Sequence, residues 1–269
     1  MFGILPSFQN MAILNGASAK KVLLVCSGVC LAGSFFLCLI KKTDLKITLR
    51  EFICYLLSGT FGLFATDLCL NLAYTQMPVG LVTMIHFTYP TLVCLGSVFL
   101  FHERFSRKKL LAIVLSVSGL ILLGDPEASY SFIGVIYALI SAFAYAFNLT
   151  MVDRSPIRHH ETLKKNLYIF AISSAMSFLI NLKELQTMNY PADQMVWLIL
   201  AGAMLMIGSF CLTKGISLLG SSNAAFISTL EPITSLLVST LLYHYDLKIR
   251  SIAGCFLIIL SLFPVIRQE

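Results

Sequence analysis

The sequence predicts an all-α polytopic membrane protein. Hydrophobic residues fill 58% of the 269 positions and charged residues only 12%, with a mean hydropathy of +0.86. Soluble domains carry about 25% charged residues. The apolar residues also form runs of roughly 20 residues, the length at which a helix rising 1.5 Å per residue crosses ~30 Å of hydrocarbon. The basic residues lie in short loops between these runs, so the net charge of +6 does not form a nucleic-acid surface.

Charged or Gly/Pro-containing breaks separate nine predicted spans. They cover residues 22–40, 52–74, 79–101, 108–124, 131–152, 165–182, 195–218, 222–243 and 251–266. Residues 1–14 are apolar but too short to cross a bilayer alone, so we expect an interfacial segment or the end of a tenth helix that is cut short. The loops are too short to hold a soluble domain.

Pro90 lies in the middle of the span 79–101. Proline removes a backbone donor and clashes with the carbonyl four residues earlier, here that of His86. In lipid a freed carbonyl must be satisfied by protein or water. The sequence therefore predicts a bent helix whose bend faces the protein interior.

The chain also contains a weak internal repeat. A shift of 142 residues pairs Pro90 with Pro232 and His102 with His244, with 8 identities in 51 aligned positions. Each proline falls near the centre of its span, and a polar turn and one further helix follow. The repeat predicts two five-helix halves, 1–124 and 131–266, with the first helix of the first half truncated. Because five is odd, the halves must insert in opposite orientations.

Lys and Arg residues are distributed unequally between alternate loops. One set of loops holds 14 of them and the other set holds 5. The positive-inside rule then places the C-terminus and the loops after residues 40, 101 and 152 in the cytoplasm of a multi-pass protein of the cell membrane. The acidic segment 124–130 faces outward.

Residues 71–122 and 215–260 resemble the EamA-type repeat of the drug/metabolite transporter superfamily. Each has a turn of small residues, a helix with a central proline and a final helix, and Glu231-Pro232 matches a frequent acid-proline pair. The turn 101–106 fits the pattern, whereas 243–246 lacks the usual Gly-Glu. The resemblance implies ten helices in two inverted halves, a central cavity and transport of small metabolites by alternating access.

Several polar residues lie at membrane depth, where an ionisable group costs roughly 2.5 to 3.5 kcal/mol and is often functional. Asp67, Asn71 and Tyr74 share one helix face. This face predicts one of two roles: Asp67 binds a cationic group or a coupling proton, or the three side chains form a hydrogen-bonded packing seam. Lys214 is a counter-ion to an anionic substrate or to Glu231, or it extends to the membrane interface.

The two proline-containing spans carry further candidates. His86 lies on the same helix face as Pro90, with Tyr89 adjacent to it. We expect His86 to be either a titrating group or a hydrogen-bonding contact between helices. Glu231 is the strongest candidate, since it combines charge with a helix bend. The alternatives are a structural ion pair or a cap on the broken backbone. Tyr145 and Asn148 belong to a polar stripe that suits either solute recognition or a tight helix contact.

These observations predict a secondary transporter, an exporter of amino acids or related solutes that uses no cofactor, metal or nucleotide-binding loop. A small solute and the bilayer are its expected partners, with proton coupling and a homodimer as open hypotheses. Two other functions remain open: a membrane-embedded enzyme acting on a lipid substrate, and a membrane component that does not transport.

Overall fold

All regular structure in the described part of the chain is helical. The structure, a computed structural model, describes residues 2–102, 106–123, 131–185, 189, 191–234, 237 and 249–266. Five segments within these ranges are long and apolar enough to cross a membrane: Ala19–Lys41, Leu49–Tyr74, Val79–Phe101, Phe132–Arg154 and Ala192–Leu219. The protein is therefore a multi-pass, all-helical membrane protein, as predicted.

Eleven helices are labelled here in chain order. They are α1 (Leu5–Leu14), α2 (Ala19–Lys41), α3 (Leu49–Tyr74, with a π-helical segment Ser58–Phe64), α4 (Val79–His86), α5 (Tyr89–Phe101), α6 (Arg107–Leu123), α7 (Phe132–Arg154), α8 (Thr162–Asn181), α9 (Ala192–Leu219), α10 (Ser221–Ser228) and α11 (Ile249–Ile266). A 3-10 turn, Pro156–His159, joins α7 to α8, and residues 231–234 are helical again after α10.

Several predicted features lie outside the described residues. These are the acidic-basic turn at 103–105, the outward segment 124–130, the turn 243–246 and most of the second half of the predicted span 222–243.

Local sequence sets several helix boundaries. Ser18 begins α2 by accepting a hydrogen bond from the Lys21 backbone N–H, and Thr48 with Glu51 forms a reciprocal capping box at the start of α3. Lys42 ends α2 with a left-handed backbone at φ 50°. The capped ends satisfy backbone groups that a helix cannot pair internally.

Both proline-containing helices are interrupted just before the proline. α4 ends at His86 and the helix resumes at Tyr89, so that Pro90 occupies the first turn of α5, where no backbone donor is required. α10 ends at Ser228 and the chain becomes helical again at Glu231. The interruptions explain the predicted bend, and they lie 142 residues apart.

α1 packs inside the bundle and not at its surface. Its side chains Leu5, Gln9 and Ala12 are buried, and it contacts α9. Glycines allow other close approaches: the backbones of Gly119 on α6 and Gly254 on α11 meet directly. Large apolar side chains on the outer faces, such as Phe36, Phe99, Phe132 and Phe256, are exposed. A bilayer accounts for this surface, since each such side chain would face lipid.

Candidate functional site

A cavity lies inside the bundle between α1, α3, α4, α7 and α9. It contains about 660 Å³ of space not filled by atoms, its open mouth included. We call it the central cavity. Its polar wall consists of Gln9, Thr66, Asp67, Tyr74, Thr83, His86, Tyr145, Ser209 and Glu231, and apolar side chains such as Phe2, Leu5, Leu63, Phe87 and Leu205 fill the rest. A mostly apolar wall with a few polar groups is typical of a small-molecule site.

Two carboxylates face the central cavity from different helices. Asp67 is 8% exposed and comes from α3, where it follows the π-helical segment. Glu231 is half-buried and lies at the point where the chain becomes helical again after α10. The sequence predicted each acid separately, and the structure brings them to one cavity. In the described part of its wall the central cavity contains no Lys or Arg.

Aromatic rings surround the interruption between α4 and α5. The His86 ring centroid lies 5.3 Å from those of both Tyr89 and Tyr145, and the Tyr89 and Tyr145 centroids are 4.7 Å apart. Phe87 joins this group, with its centroid 5.9 Å from that of Tyr89. The His86 Nδ1 atom lies 3.0 Å from the Ser141 Oγ atom. α7 thus holds the imidazole by a polar contact on one side and by ring packing on the other.

Tyr145 lines the central cavity together with the two carboxylates and also borders a second space. On its other side lies a smaller cavity with about 360 Å³ of atom-free space, which we call the second cavity. Leu63, Tyr145 and Ser209 line both. These three side chains therefore form the partition between the two cavities.

Amides and hydroxyls give the second cavity its polar character. Ser58 donates a hydrogen bond to the Asn148 Oδ1 atom at 2.5 Å, which ties α3 to α7. Thr213 donates to the Asn166 Oδ1 atom at 3.3 Å, between α9 and α8. Asn148 was predicted as a binding residue, and the structure places it in this second cavity and not with the carboxylates.

Other predicted residues lie away from the cavity walls. Asn71 is buried, its side-chain nitrogen donates to the Asp67 carbonyl at 2.8 Å, and its Oδ1 atom has no hydrogen-bond partner among the described residues. Lys214 is exposed on α9 and lines neither of the two cavities. Pro90 and Pro232 each lie in the first turn where the helix resumes, directly after Tyr89 and Glu231.

Sequence analysis missed three polar residues of the central cavity: Gln9, Thr66 and Ser209. Gln9 lies on α1, which was expected at the interface or incomplete. Ser209 follows Gly208 within a long apolar helix, a small-residue step that often marks a close helix contact. The position of a small polar residue relative to a cavity depends on the helix packing, which the sequence pattern does not fix.

An all-helical multi-pass bundle with two acids inside it has the construction of a membrane transporter. The sequence pattern of the EamA-like transporter family matches residues 1–124 and again residues 132–267. The chain belongs to this family.

Related proteins agree with this assignment. Two proteins of Archaeoglobus fulgidus named "Uncharacterized transporter" are each 23% identical, one over 217 residues (80% of this chain and 76% of the relative) and one over 221 residues (78% and 76%). A solved crystal structure superposes on this chain with a TM-score of 0.78 and 14% sequence identity. The superposition covers 100% of this chain and 98% of the chain in the crystal structure. That likeness concerns the fold alone.

Proposed function

We propose that this protein is a secondary transporter that exports small amino-acid-like organic solutes by alternating access, with protons as the coupling ion. One observation carries the proposal: Glu231 and Asp67, from different halves of the chain, face the same cavity. Carboxylates at membrane depth are costly, and those that face a cavity often mark the pathway of a substrate or an ion.

Alternating access needs two halves that can exchange conformations, and helix boundaries support this arrangement. α4 and α10 each contain eight residues and begin at 79 and 221. α2 and α8 begin at 19 and 162, and α6 and α11 begin at 107 and 249. These differences of 142 or 143 residues support two inverted five-helix halves, 1–124 and 131–266, with the cavity between them.

The cavity wall favours a solute with a positively charged group. Two carboxylates and no basic side chain in the described wall would attract an ammonium group, and the hydroxyls of Tyr74, Tyr145 and Ser209 offer donors to an acceptor on the same solute. The apolar remainder of the wall suits a hydrocarbon side chain. Amines and zwitterions such as amino acids combine these features.

Coupling to protons follows if one carboxylate alternates between a proton and the solute. Glu231 suits this role because it lies where the helix is interrupted, so that its surroundings can change when the interrupted helix moves. A proton and an ammonium group would then compete for the same carboxylate. Each cycle would exchange one for the other across the membrane.

Flux in proteoliposomes tests the proposal. Wild type and Glu231→Gln are compared for the flux of labelled amino acids and amines under an imposed pH gradient, with Asp193→Asn as control, since Asp193 is an exposed acid outside both cavities. We expect gradient-driven flux in wild type and the control and its loss in Glu231→Gln. Gradient-independent flux of equal size in all three proteins would contradict the coupling.

The same vesicles test the alternative of a lipid-modifying enzyme. Membership in a transporter family favours transport. If solute flux is absent while chromatography of the vesicle lipids shows a new product that depends on the protein, the enzyme hypothesis replaces the transporter proposal.

A further inference from the structure

The second cavity ends at one face of the bundle. Val152, Asn166 and Ile216 line its end. An immediate chain neighbour of each, Asp153, Lys165 and Ser217 respectively, is engaged in hydrogen bonds at that face. We call this the basic face, because Lys46, Arg158, Lys164 and other basic residues lie there. These hydrogen bonds therefore lie between the second cavity and the basic face.

Asp153 fastens the end of α7 to the start of α10. Its Oδ2 atom accepts hydrogen bonds from both the backbone N–H of Ser221 at 2.9 Å and the Ser221 hydroxyl at 2.8 Å. Its carboxylate is 2% exposed, and the Nε atoms of Arg154 and Arg158 lie 3.3 Å and 3.9 Å from its oxygens. A buried acid with this many partners ties the interrupted helix firmly to α7.

Lys165 makes the second connection. The side chain is fully buried, and its ammonium group donates to the Arg158 carbonyl at 2.9 Å and to the Ser217 hydroxyl at 2.8 Å. These bonds join α8, the turn after α7 and the end of α9. A buried ammonium group needs such partners, so the three segments are held together while it is enclosed.

His160 connects this turn to the other half of the chain. Its Nδ1 atom lies 2.7 Å from the Tyr55 hydroxyl, and its Nε2 atom lies 3.0 Å from the Glu51 Oε1 atom. Tyr55 and Glu51 belong to α3, in the first half, and the Tyr55 ring stacks on Tyr168 of α8 at 4.9 Å. Both imidazole nitrogens are thus engaged across the boundary between the halves.

The corresponding positions of the first half lack these groups. Subtracting 142 residues places Met11, Leu23 and Val79 where the second half has Asp153, Lys165 and Ser221. The opposite ends of the equivalent helices are joined by a different set of contacts, in which the buried Lys21 ammonium group donates to the Asn189 carbonyl and to the Gln194 Oε1 atom, and the Gln194 side-chain nitrogen donates to the Asn15 carbonyl. The central cavity extends toward that opposite side, to Tyr74 at the end of α3 and Thr83 near the start of α4.

We propose that the turn between α7 and α8, with Asp153, His160 and Lys165 as its anchors, is the gate of the basic face. This inference rests on the proposed alternating-access function and names the contacts that must break in each cycle. In the described structure the gate is closed. When the His160 contacts to α3 and the Asp153 contacts to Ser221 open, the second cavity joins the solvent at the basic face. The opposite side of the central cavity then closes.

Thiol accessibility tests the gate without any substrate. Thr213→Cys reports on the second cavity and Thr83→Cys on the far side of the central cavity, each in a protein whose exposed Cys211 is replaced by serine. A charged methanethiosulfonate is applied to the purified protein in detergent, and labelling rates are compared with and without His160→Ala. His159→Ala is the matched control, because His159 is the preceding residue and is exposed.

Losing two hydrogen bonds shifts a two-state equilibrium by about tenfold. We expect His160→Ala to accelerate labelling of Thr213→Cys by about tenfold and to slow labelling of Thr83→Cys, whereas His159→Ala changes neither. Glu51→Gln, which weakens one contact, should move both rates in the same directions by less. Unchanged rates in His160→Ala overturn the gate, and so do faster rates at both sites or an equal effect of His159→Ala.

Transport in the proteoliposomes separates the two proposals. Coupled changes in labelling without any flux would leave the gate standing and contradict the proposed function. Flux with no change in labelling would support the proposed function and contradict the gate.

Discussion

The Tyr89 and Tyr145 rings meet edge to face, with centroids 4.7 Å apart and planes inclined at 84°. Both rings are buried, Tyr89 at the start of α5 and Tyr145 in α7. Edge-to-face pairs of this kind contribute about 0.5 to 1.5 kcal/mol beyond the area that they bury. The contact holds α5 against α7, beside the central cavity.

The contact predicts different effects for two substitutions of Tyr145. Tyr145→Phe keeps the ring, so the thermal midpoint in detergent should stay close to that of wild type, while solute flux falls because the cavity loses a hydroxyl. Tyr145→Ala removes the ring and should lower the free energy of unfolding by about 3 kcal/mol. Thermal unfolding followed by the single tryptophan, Trp197, measures the stability of both variants, and the proteoliposome assay measures their flux. Equal destabilisation by Phe and Ala would show that the hydroxyl, and not the ring, holds this site.

The close approach of α6 and α11 predicts a second pair of outcomes. A Cβ atom added at Gly119 would lie 2.7 Å from the Gly254 carbonyl oxygen, and one added at Gly254 would lie 2.7 Å from the Gly119 carbonyl oxygen. Gly119→Ala or Gly254→Ala should therefore separate the two helices and lower the thermal midpoint, since neither backbone can yield without moving its helix.

Gly215 supplies the control for this prediction. It lies in α9 with no atom within 4 Å of an added Cβ. Because alanine stabilises a helix interior by about 0.5 to 1 kcal/mol relative to glycine, Gly215→Ala should leave the thermal midpoint unchanged or raise it. If Gly119→Ala behaves in the same way, the two helices do not pack as closely as described.

The sequence predicted much of this architecture for physical reasons. Apolar runs with charged breaks fix the position of a span, and proline fixes where a helix is interrupted, so that the break before Pro90 follows from one residue. The acids Glu231 and Asp67 were found because charge at membrane depth is unusual. That both face one cavity could not be deduced, because the rotation of each helix depends on packing against its neighbours.

The contacts at the basic face also could not be predicted from the sequence. His160 lies in the loop after residue 152, and both its ring nitrogens contact α3, more than 100 positions earlier in the chain. Loop histidines and lysines look alike whether they face water or a partner helix. Only the pairing of distant helices distinguishes His160 from its exposed neighbour His159, so no local pattern carries this information.

A buried pair of hydroxyls predicts non-additive effects. The Ser97 and Ser222 Oγ atoms lie 3.0 Å apart between α5 and α10, and both residues are buried. Replacing one serine with alanine leaves the other hydroxyl without this hydrogen-bond partner, which should lower the free energy of unfolding by about 1 to 3 kcal/mol. The double alanine variant removes both groups and should be destabilised by less than the sum of the single variants. Additive effects in thermal unfolding would mean that the hydroxyls do not interact.

The two carboxylates of the central cavity should have separable roles. If Asp67 binds the ammonium group of the solute, Asp67→Asn removes an ionic hydrogen bond worth about 1.5 to 3 kcal/mol, and the KM for an amine should rise at least about tenfold. The response of flux to a pH gradient should persist, because Glu231 remains. Asp67→Asn and wild type are compared in competition assays with matched solutes, one carrying a free amine and the other its N-acetyl derivative. Wild type should prefer the amine, and Asp67→Asn should lose that preference. If Asp67→Asn retains the preference and instead stops responding to the pH gradient, the roles of Asp67 and Glu231 are the reverse of those proposed.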